Sequence, residues 1–288
     1  MSRPGQTPLL LAARAVGRCH RPTGMELLWR TLRRRDAALR LVDALVAPGQ
    51  VIVDAGASVG LFTSRMARLV GPGGRVHAFE PNPQRHARLR ALAGTRRPIV
   101  LHPVALSDRP VEGQLWIPHV NGRAQAERAF VAERGHDRAS AAPVSVRLAT
   151  CDDELGEDRE RVAFIKCDVE GHEAAVLAGA AEILERSRPA VLVEVEERHH
   201  GRPLDAVLAE LVPDGYAAWA VTGDGLLPAD ELDLDRDHRA PLREAGDATP
   251  GPEYVNDFLL LPHGRRLEPA RSRPAVRATG FEPATSRA

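Results

Sequence analysis

Two carboxylates and a glycine turn are spaced to hold a nucleoside. Asp54 follows Val51-Ile52-Val53, the turn Ala55-Gly56-Ala57-Ser58-Val59-Gly60 comes directly after it, and Glu80 closes the run Val76-His77-Ala78-Phe79. An apolar run, a glycine turn, a helix-length interval and a second apolar run ending in an acid form the first half of a nucleoside-binding α/β unit. The acid in that unit accepts the hydroxyls of a ribose. A dinucleotide turn needs G-x-G-x-x-G, so that the backbone approaches a pyrophosphate and the helix packs close to the strand. Counting from Gly56, those positions hold Ser58 and Leu61. The turn therefore suits a cofactor with adenosine and no pyrophosphate, of which S-adenosylmethionine is the common example.

Further along, Phe164-Ile165-Lys166-Cys167-Asp168 sets a lysine and an aspartate two residues apart in an apolar run, which on a strand puts them on one face. Lys166 is the single lysine among 39 basic residues. An ammonium inside a parallel sheet must be paired or reach polar solvent. The expectation is a pair between Lys166 and a neighbouring strand-end carboxylate that fixes the charge of the site.

These residues need elements to hold them. Leu27, Leu28, Leu32, Leu39, Val42 and Leu45 recur at helical spacing across 25–46, with Arg33-Arg34-Arg35 solvated between, and Pro48-Gly49 ends that stretch. Strands are expected at Val51–Val53, Arg75–Phe79, Ile99–His102, Val162–Cys167 and Ala190–Val195, with a closing pair at Tyr216–Val221 and Phe258–Leu261. Helices fall between them at Val59–Val70, Pro83–Ala93, a stretch carrying Val176, Ala180, Ile183 and Leu184 on one face, and Leu204–Val212. Residues 107–147 read as an insertion over the sheet with short strands at Leu115-Trp116-Ile117 and Val144-Ser145-Val146; 228–252 read as an acidic loop. This alternation implies an α/β fold with a mostly parallel, doubly wound sheet. Its ligands sit at the carboxyl ends of the strands where strand order reverses, which draws attention to Asp54, Glu80, Asp108, Asp168 and Glu194. The chain divides into a loose segment over 1–24, one domain over 25–263, and a tail over 264–288 whose composition predicts disorder.

Composition narrows the partners. The 288 residues carry a net charge of zero, which gives no electrostatic case for nucleic acid or an anionic membrane. Cys19, Cys151 and Cys167 have no paired or zinc-type spacing and suit a reducing compartment. No apolar run reaches the 18 or so residues of a membrane span, and Leu9-Leu10-Leu11-Ala12-Ala13 is too short for a secretory core. The expectation is a cytoplasmic protein with a small-molecule partner.

Taken in order, four stretches resemble the FkbM family of S-adenosylmethionine-dependent methyltransferases. They are Val53-Asp54-Ala55-Gly56-Ala57-Ser58-Val59-Gly60-Leu61-Phe62-Thr63, Phe79-Glu80-Pro81-Asn82-Pro83, Val104-Ala105-Leu106-Ser107-Asp108, and Ile165-Lys166-Cys167-Asp168-Val169-Glu170-Gly171-His172-Glu173. Phe258-Leu259-Leu260-Leu261-Pro262 is similar to the family's end, so the resemblance spans about residues 25–262. Ser58 stands where the family more often has asparagine, and Cys167 where it usually has an aliphatic residue. The resemblance implies a Rossmann-like class I methyltransferase fold, with a seven-stranded, mostly parallel sheet and helices on both faces. It implies that Gly56–Gly60 holds the methionine part of the cofactor, with Asp54 orienting the turn or taking the ammonium. Glu80 would hold the ribose, with Asn82 and Ala105–Asp108 flanking ribose and adenine. Asp168 would hold the ammonium, orient the acceptor or join a metal site, although no metal is called for. A hydroxyl acceptor, in a sugar or small natural product, profits from a general base; His172, His199, His200, Glu194 and Glu196 are the candidates. Adjacent His199 and His200 point apart and read as surface loop. An NAD(P)-dependent oxidoreductase and a cofactor-binding module without activity remain as alternatives.

Overall fold

The main sheet is built outward from strand β1, Val51–Ala55, in which every residue is buried. A strand covered on both faces must be apolar on both, and Asp54, fully buried, is the exception that marks the site. The computed structural model describes residues 22–33, 36–94, 98–117, 119–120, 123–124, 129–132, 143–245 and 254–265. The expected loose start up to residue 21, Cys19 with it, and the tail from 266 lie outside the described residues.

Among the described residues, two helices precede β1: α1 (Pro22–Leu32) and α2 (Ala37–Leu45). Then follow α3 (Leu61–Val70), β2 (Arg75–Phe79), α4 (Pro83–Ala93), β3 (Ile99–His102), β4 (Ala105–Leu106), β5 (Val111–Trp116), β6 (His119–Val120), β7 (Arg123–Ala124), β8 (Phe130–Ala132) and β9 (Val144–Ala149). The second half holds α5 (Cys151–Leu155), β10 (Val162–Cys167), α6 (Glu173–Ala178), α7 (Ala181–Arg186), β11 (Ala190–Glu194), α8 (Glu197–His200), α9 (Leu204–Leu211), β12 (Tyr216–Thr222), β13 (Gly225–Pro228), α10 (Ala240–Ala245) and β14 (Asp257–Pro262). Proline at the start of α4 and the Asn82 side chain accepting from the Gln84 N–H at 3.0 Å explain why that helix begins where it does.

The main sheet runs β13-β12-β14-β11-β10-β1-β2-β3. β3, β2, β1, β10 and β11 are parallel. β14 lies antiparallel between β11 and β12, and β13 returns antiparallel on β12. The sheet is therefore eight-stranded and mixed, not seven-stranded. The added strand arises because Thr222 and Gly225 pair across a tight turn, which lets Leu226 and Leu227 pack on the cores.

Strand alternation sorts the polar residues. Val53, Ala55, Ile165, Cys167, Val191 and Val193 face one core with α6, α7 and α9. Ile52, Phe164 and Leu192 face the other, with α1 to α4. Asp54, Lys166 and Glu194 are two residues on from these, so they share the second face at its carboxyl end.

Three other expectations change. The helix after β10 is two helices, because the Asp152 carboxylate accepts from the Glu182 and Ile183 N–H groups at 3.0 and 3.1 Å and so caps a fresh start. The insertion forms a second sheet, β4-β9-β5-β8, with its own small core of Ala105, Leu115, Val146 and Leu148. The acidic stretch is not all loop: residues 229–245 wind into helical turns that end in α10.

His238, fully buried, anchors those turns. Its Nδ1–H donates to the Val255 carbonyl at 2.7 Å, and its Nε2 accepts from the Glu197 N–H at 3.2 Å. The bond accepted at Nε2 requires the neutral ring, and burial, opposed by the Val255 carbonyl, lowers its pKa. The unfolded ring takes up a proton below about pH 6.5 while the folded ring resists, so stability is present above that value and lost as the pH falls. Melting curves from pH 8 to pH 5 should show a shallower decline in His238→Leu than in the wild type. Parallel declines would remove the contribution.

Candidate active site

A cavity of about 240 Å³ opens at the carboxyl ends of β1, β2, β10 and β11, beside the strand where connection order reverses. It brings together Asp54, Gly56, Ser58 and Glu80 on one side, and Ala105, Lys166, Asp168, His172 and Glu194 on the other. Leu28 and Leu32 of α1, Phe62 of α3, and Leu115 and Val131 of the second sheet supply apolar walls. Among the described residues, none from 228–245 is in the lining.

The turn after β1 is tight. Gly56 has φ 80° and donates to the Phe79 carbonyl at 3.1 Å. A Cβ at Gly56 would lie 1.9 Å from the Asp168 carbonyl oxygen, so only glycine fits. Ser58, also left-handed at φ 53°, donates its N–H to Glu80 Oε2 at 2.7 Å. The Asn82 N–H donates to Glu80 Oε1 at 2.8 Å. Each oxygen of this buried carboxylate thus accepts one backbone bond and keeps a further acceptor position. Burial raises its pKa against the pull of those two N–H groups.

Three predicted residues stay off the cavity. Gly60 opens α3 at φ 86° and serves packing: a Cβ there would meet methyls of Leu89 and Leu92 at 2.7 and 2.8 Å. Asn82 is buried as the cap of α4, its oxygen turned to the helix N–H. Asp108 is exposed and pairs with Arg109 at 3.0 Å.

Charge concentrates on the floor. Lys166 Nζ donates to Asp168 Oδ2 at 2.9 Å and lies 4.6 Å from the Phe62 ring centre. Burial acts to lower the ammonium's pKa, but Asp168, Asp54 and Glu194 outweigh it and hold it above its ordinary value. Asp54 sits opposite Lys166 in register; its Oδ2 accepts from Thr63 at 2.6 Å while its buried Oδ1 has no hydrogen-bond partner. Burial raises its carboxyl against Lys166. Glu194 Oε1 accepts from Asn256 Nδ2 at 2.7 Å, and the same amide lies 3.4 Å from Glu196. Burial and then Asp168 push Glu194 well above the usual carboxylate range. Its register partner Asp257 is pushed up to about 8, first by burial. Asn256 and Asp257 carry no sequence signal beyond standing at the start of a closing strand.

The candidate bases separate. His172 leads into α6, with Nε2 3.0 Å from Ser107 Oγ. His199 and His200 are not a surface loop. They end the short helix α8, which packs on the segment after β10: His199 Nε2 lies 3.3 Å from Glu170, and His200 Nε2 3.1 Å from Glu173. Glu196 is buried and paired with Arg198.

A family model described as the Methyltransferase FkbM domain matches residues 54–219. The 2-O-methyltransferase NoeI of Sinorhizobium fredii (strain NBRC 101917 / NGR234) is 31% identical over 189 residues, which cover 60% of this chain and 75% of that protein. Among solved structures, the chain is similar to methyltransferase FkbM from Methylobacillus flagellatus KT at 15% identity and a TM-score of 0.44, covering 81% of this chain and 57% of that one. It is also similar to cofactor-bound Rv0187 from MTB at 15% identity and a TM-score of 0.42, covering 91% of this chain and 92% of that one.

Proposed function

Because the chain belongs to the FkbM methyltransferase family, we propose that it uses S-adenosylmethionine to methylate a hydroxyl oxygen of a sugar or small natural product. The observation that carries this reading is Glu80: a buried carboxylate on the cavity wall, held by two backbone N–H groups, with acceptor capacity left for a diol.

The residues fit that cofactor. The unpartnered Oδ1 of Asp54 is a buried acceptor suited to an ammonium group. The Gly56 turn closes against the Asp168 carbonyl, and Ser58 and Leu61 replace the two glycines that a pyrophosphate needs. Bound there, S-adenosylmethionine supplies an electrophilic methyl group on a cationic sulfur. The chain does the rest by position. Glu80 orients the sugar, Asp54 and the Lys166–Asp168 pair set the charge around the reacting end, and Phe62, Leu115 and Val131 exclude water from it. Glu194 and His172 stand at the same floor to orient the acceptor. Holding reacting atoms about 3 Å apart accounts for much of the rate of an in-line displacement.

Calorimetry with S-adenosylmethionine, S-adenosylhomocysteine and NAD tests the reading, alongside transfer of labelled methyl into methyl glycosides. The two sulfur nucleosides should bind and NAD should not. Preferential binding of NAD would overturn the proposal, and cofactor binding without transfer to any hydroxyl would favour a binding module.

A further inference from the structure

Glu170 lines the cavity between Asp168 and His172, with its side chain 23% exposed. Its backbone is left-handed, at φ 56°. That conformation strains any residue with a Cβ and suits glycine. Among the described residues, three non-glycine positions have positive φ, and two of them, Ser58 and Glu170, line this one cavity. Strain of this kind persists where the surroundings enforce it and gathers at working sites.

The surroundings of Glu170 do enforce it. Gly171 follows at φ 98°, and a Cβ there would lie 3.0 Å from His199 Cβ, so α8 presses on the turn from behind. The Gly171 N–H donates to Glu173 Oε1 at 2.8 Å, which ties the turn to α6. The Glu170 carboxylate is itself met by His199 Nε2 at 3.3 Å. A carboxylate is thus held at the cavity by a conformation in which glycine would be easier.

We propose that Glu170 takes the proton from the acceptor hydroxyl during methyl transfer. The assignment rests on the methyltransferase reading above. The acceptor O–H bond breaks and its proton goes to a Glu170 oxygen. The acceptor oxygen forms the new O–CH₃ bond, and the pair of the S–CH₃ bond returns to sulfur, leaving a neutral thioether.

The electrostatics agree with the geometry. Glu170 faces Asp168 on its own segment, Glu173 on α6, Glu196 and Arg198 around the start of α8, and shares the cavity with Lys166 and Glu194. Burial, then Asp168, pushes its carboxyl up to about 9. A base raised toward the operating pH transfers protons more effectively. A cationic sulfur in the same cavity favours the ionised form, so Glu170 should give up its proton as the cofactor binds.

The test uses the whole chain and the variants Glu170→Gly and Glu170→Gln. In thermal melting, Glu170→Gly should be at least as stable as the wild type, because glycine adopts φ 56° without strain. Calorimetry at pH 8 in buffers of different ionisation enthalpy should show proton release when the wild type binds S-adenosylmethionine, and less in Glu170→Gln. With methyl glycosides as acceptors, Glu170→Gln should lose at least about 100-fold in turnover. Undiminished turnover, equal proton release, or a Glu170→Gly variant that melts several degrees lower would each overturn the assignment. Failure of the wild type to bind S-adenosylmethionine would remove the cofactor reading instead, and the melting comparison would still judge Glu170.

Discussion

Glu80→Ala should weaken S-adenosylmethionine binding by a factor of roughly 100 to 10,000. The carboxylate is buried, and its two oxygens already accept from Ser58 and Asn82 at 2.7 and 2.8 Å. Glu80 lines the cavity, and each of its oxygens keeps a further acceptor position. A hydrogen bond to a charged group contributes about 1.5–3 kcal/mol. Two bonds to a diol make about 3–6 kcal/mol, and each 1.4 kcal/mol or so is tenfold in affinity. The variant also strands two backbone donors, so melting must be measured beside calorimetry. A folded Glu80→Ala protein with unaltered affinity would strip Glu80 of the ribose role.

The second large effect is expected at Lys166, whose side chain is only 6% exposed. Lys166→Met keeps the length of the side chain and removes its charge. Asp168 loses its 2.9 Å partner, and Asp54 loses the cation opposite it in register. Asp168 is 31% exposed, so the cost falls at the lower end of the range of about 3–5 kcal/mol for removing one member of a buried ion pair, or roughly 10 °C in melting temperature for a domain of this class. The deficit should shrink as the pH falls. Burial already raises Asp54 and Glu194, so the folded variant binds protons more readily than the unfolded chain, and acid favours folding. A pH-independent deficit would mean that lost packing, not uncompensated charge, is responsible. Lys166→Arg should impair activity with less loss of stability, because a planar guanidinium does not occupy the small space between Phe62 and Asp168 as an ammonium does.

The frame of the site was legible because it depends on local patterns. Apolar runs fixed β2, β3 and β10 from end to end, and Pro83 with Gly94 bounded α4. That Lys166 and Asp168 share a face followed from strand periodicity, whereas which strand-end carboxylate meets the ammonium did not. What the residues could not show depends on contacts between distant segments. Gly56 and Gly60 look alike in sequence, yet one abuts the Asp168 carbonyl just past the end of neighbouring strand β10 and the other two leucine methyls of α4. Asp152 splits a helix about 30 residues further on. Asn82 reads as a ligand residue, and its oxygen goes to a helix cap while its buried Nδ2 has no hydrogen-bond partner. His199 and His200 look solvated until α8 is laid against the turn at 170–171. Glu170 is readable as a carboxylate, whereas its left-handed backbone is visible only in three dimensions.

Helix α1 has two working faces. Leu28 and Leu32 close one side of the cavity, while Trp29 stands edge-on to Phe62 at 5.6 Å and Glu26 pairs with Arg65 on α3. This helix lies upstream of the span 54–219 that the family shares. The machinery and one of its walls are therefore written in separate stretches of the gene. An exchange of this helix would recast one wall of the cavity while Asp54, Glu80, Lys166 and Asp168 stay as they are.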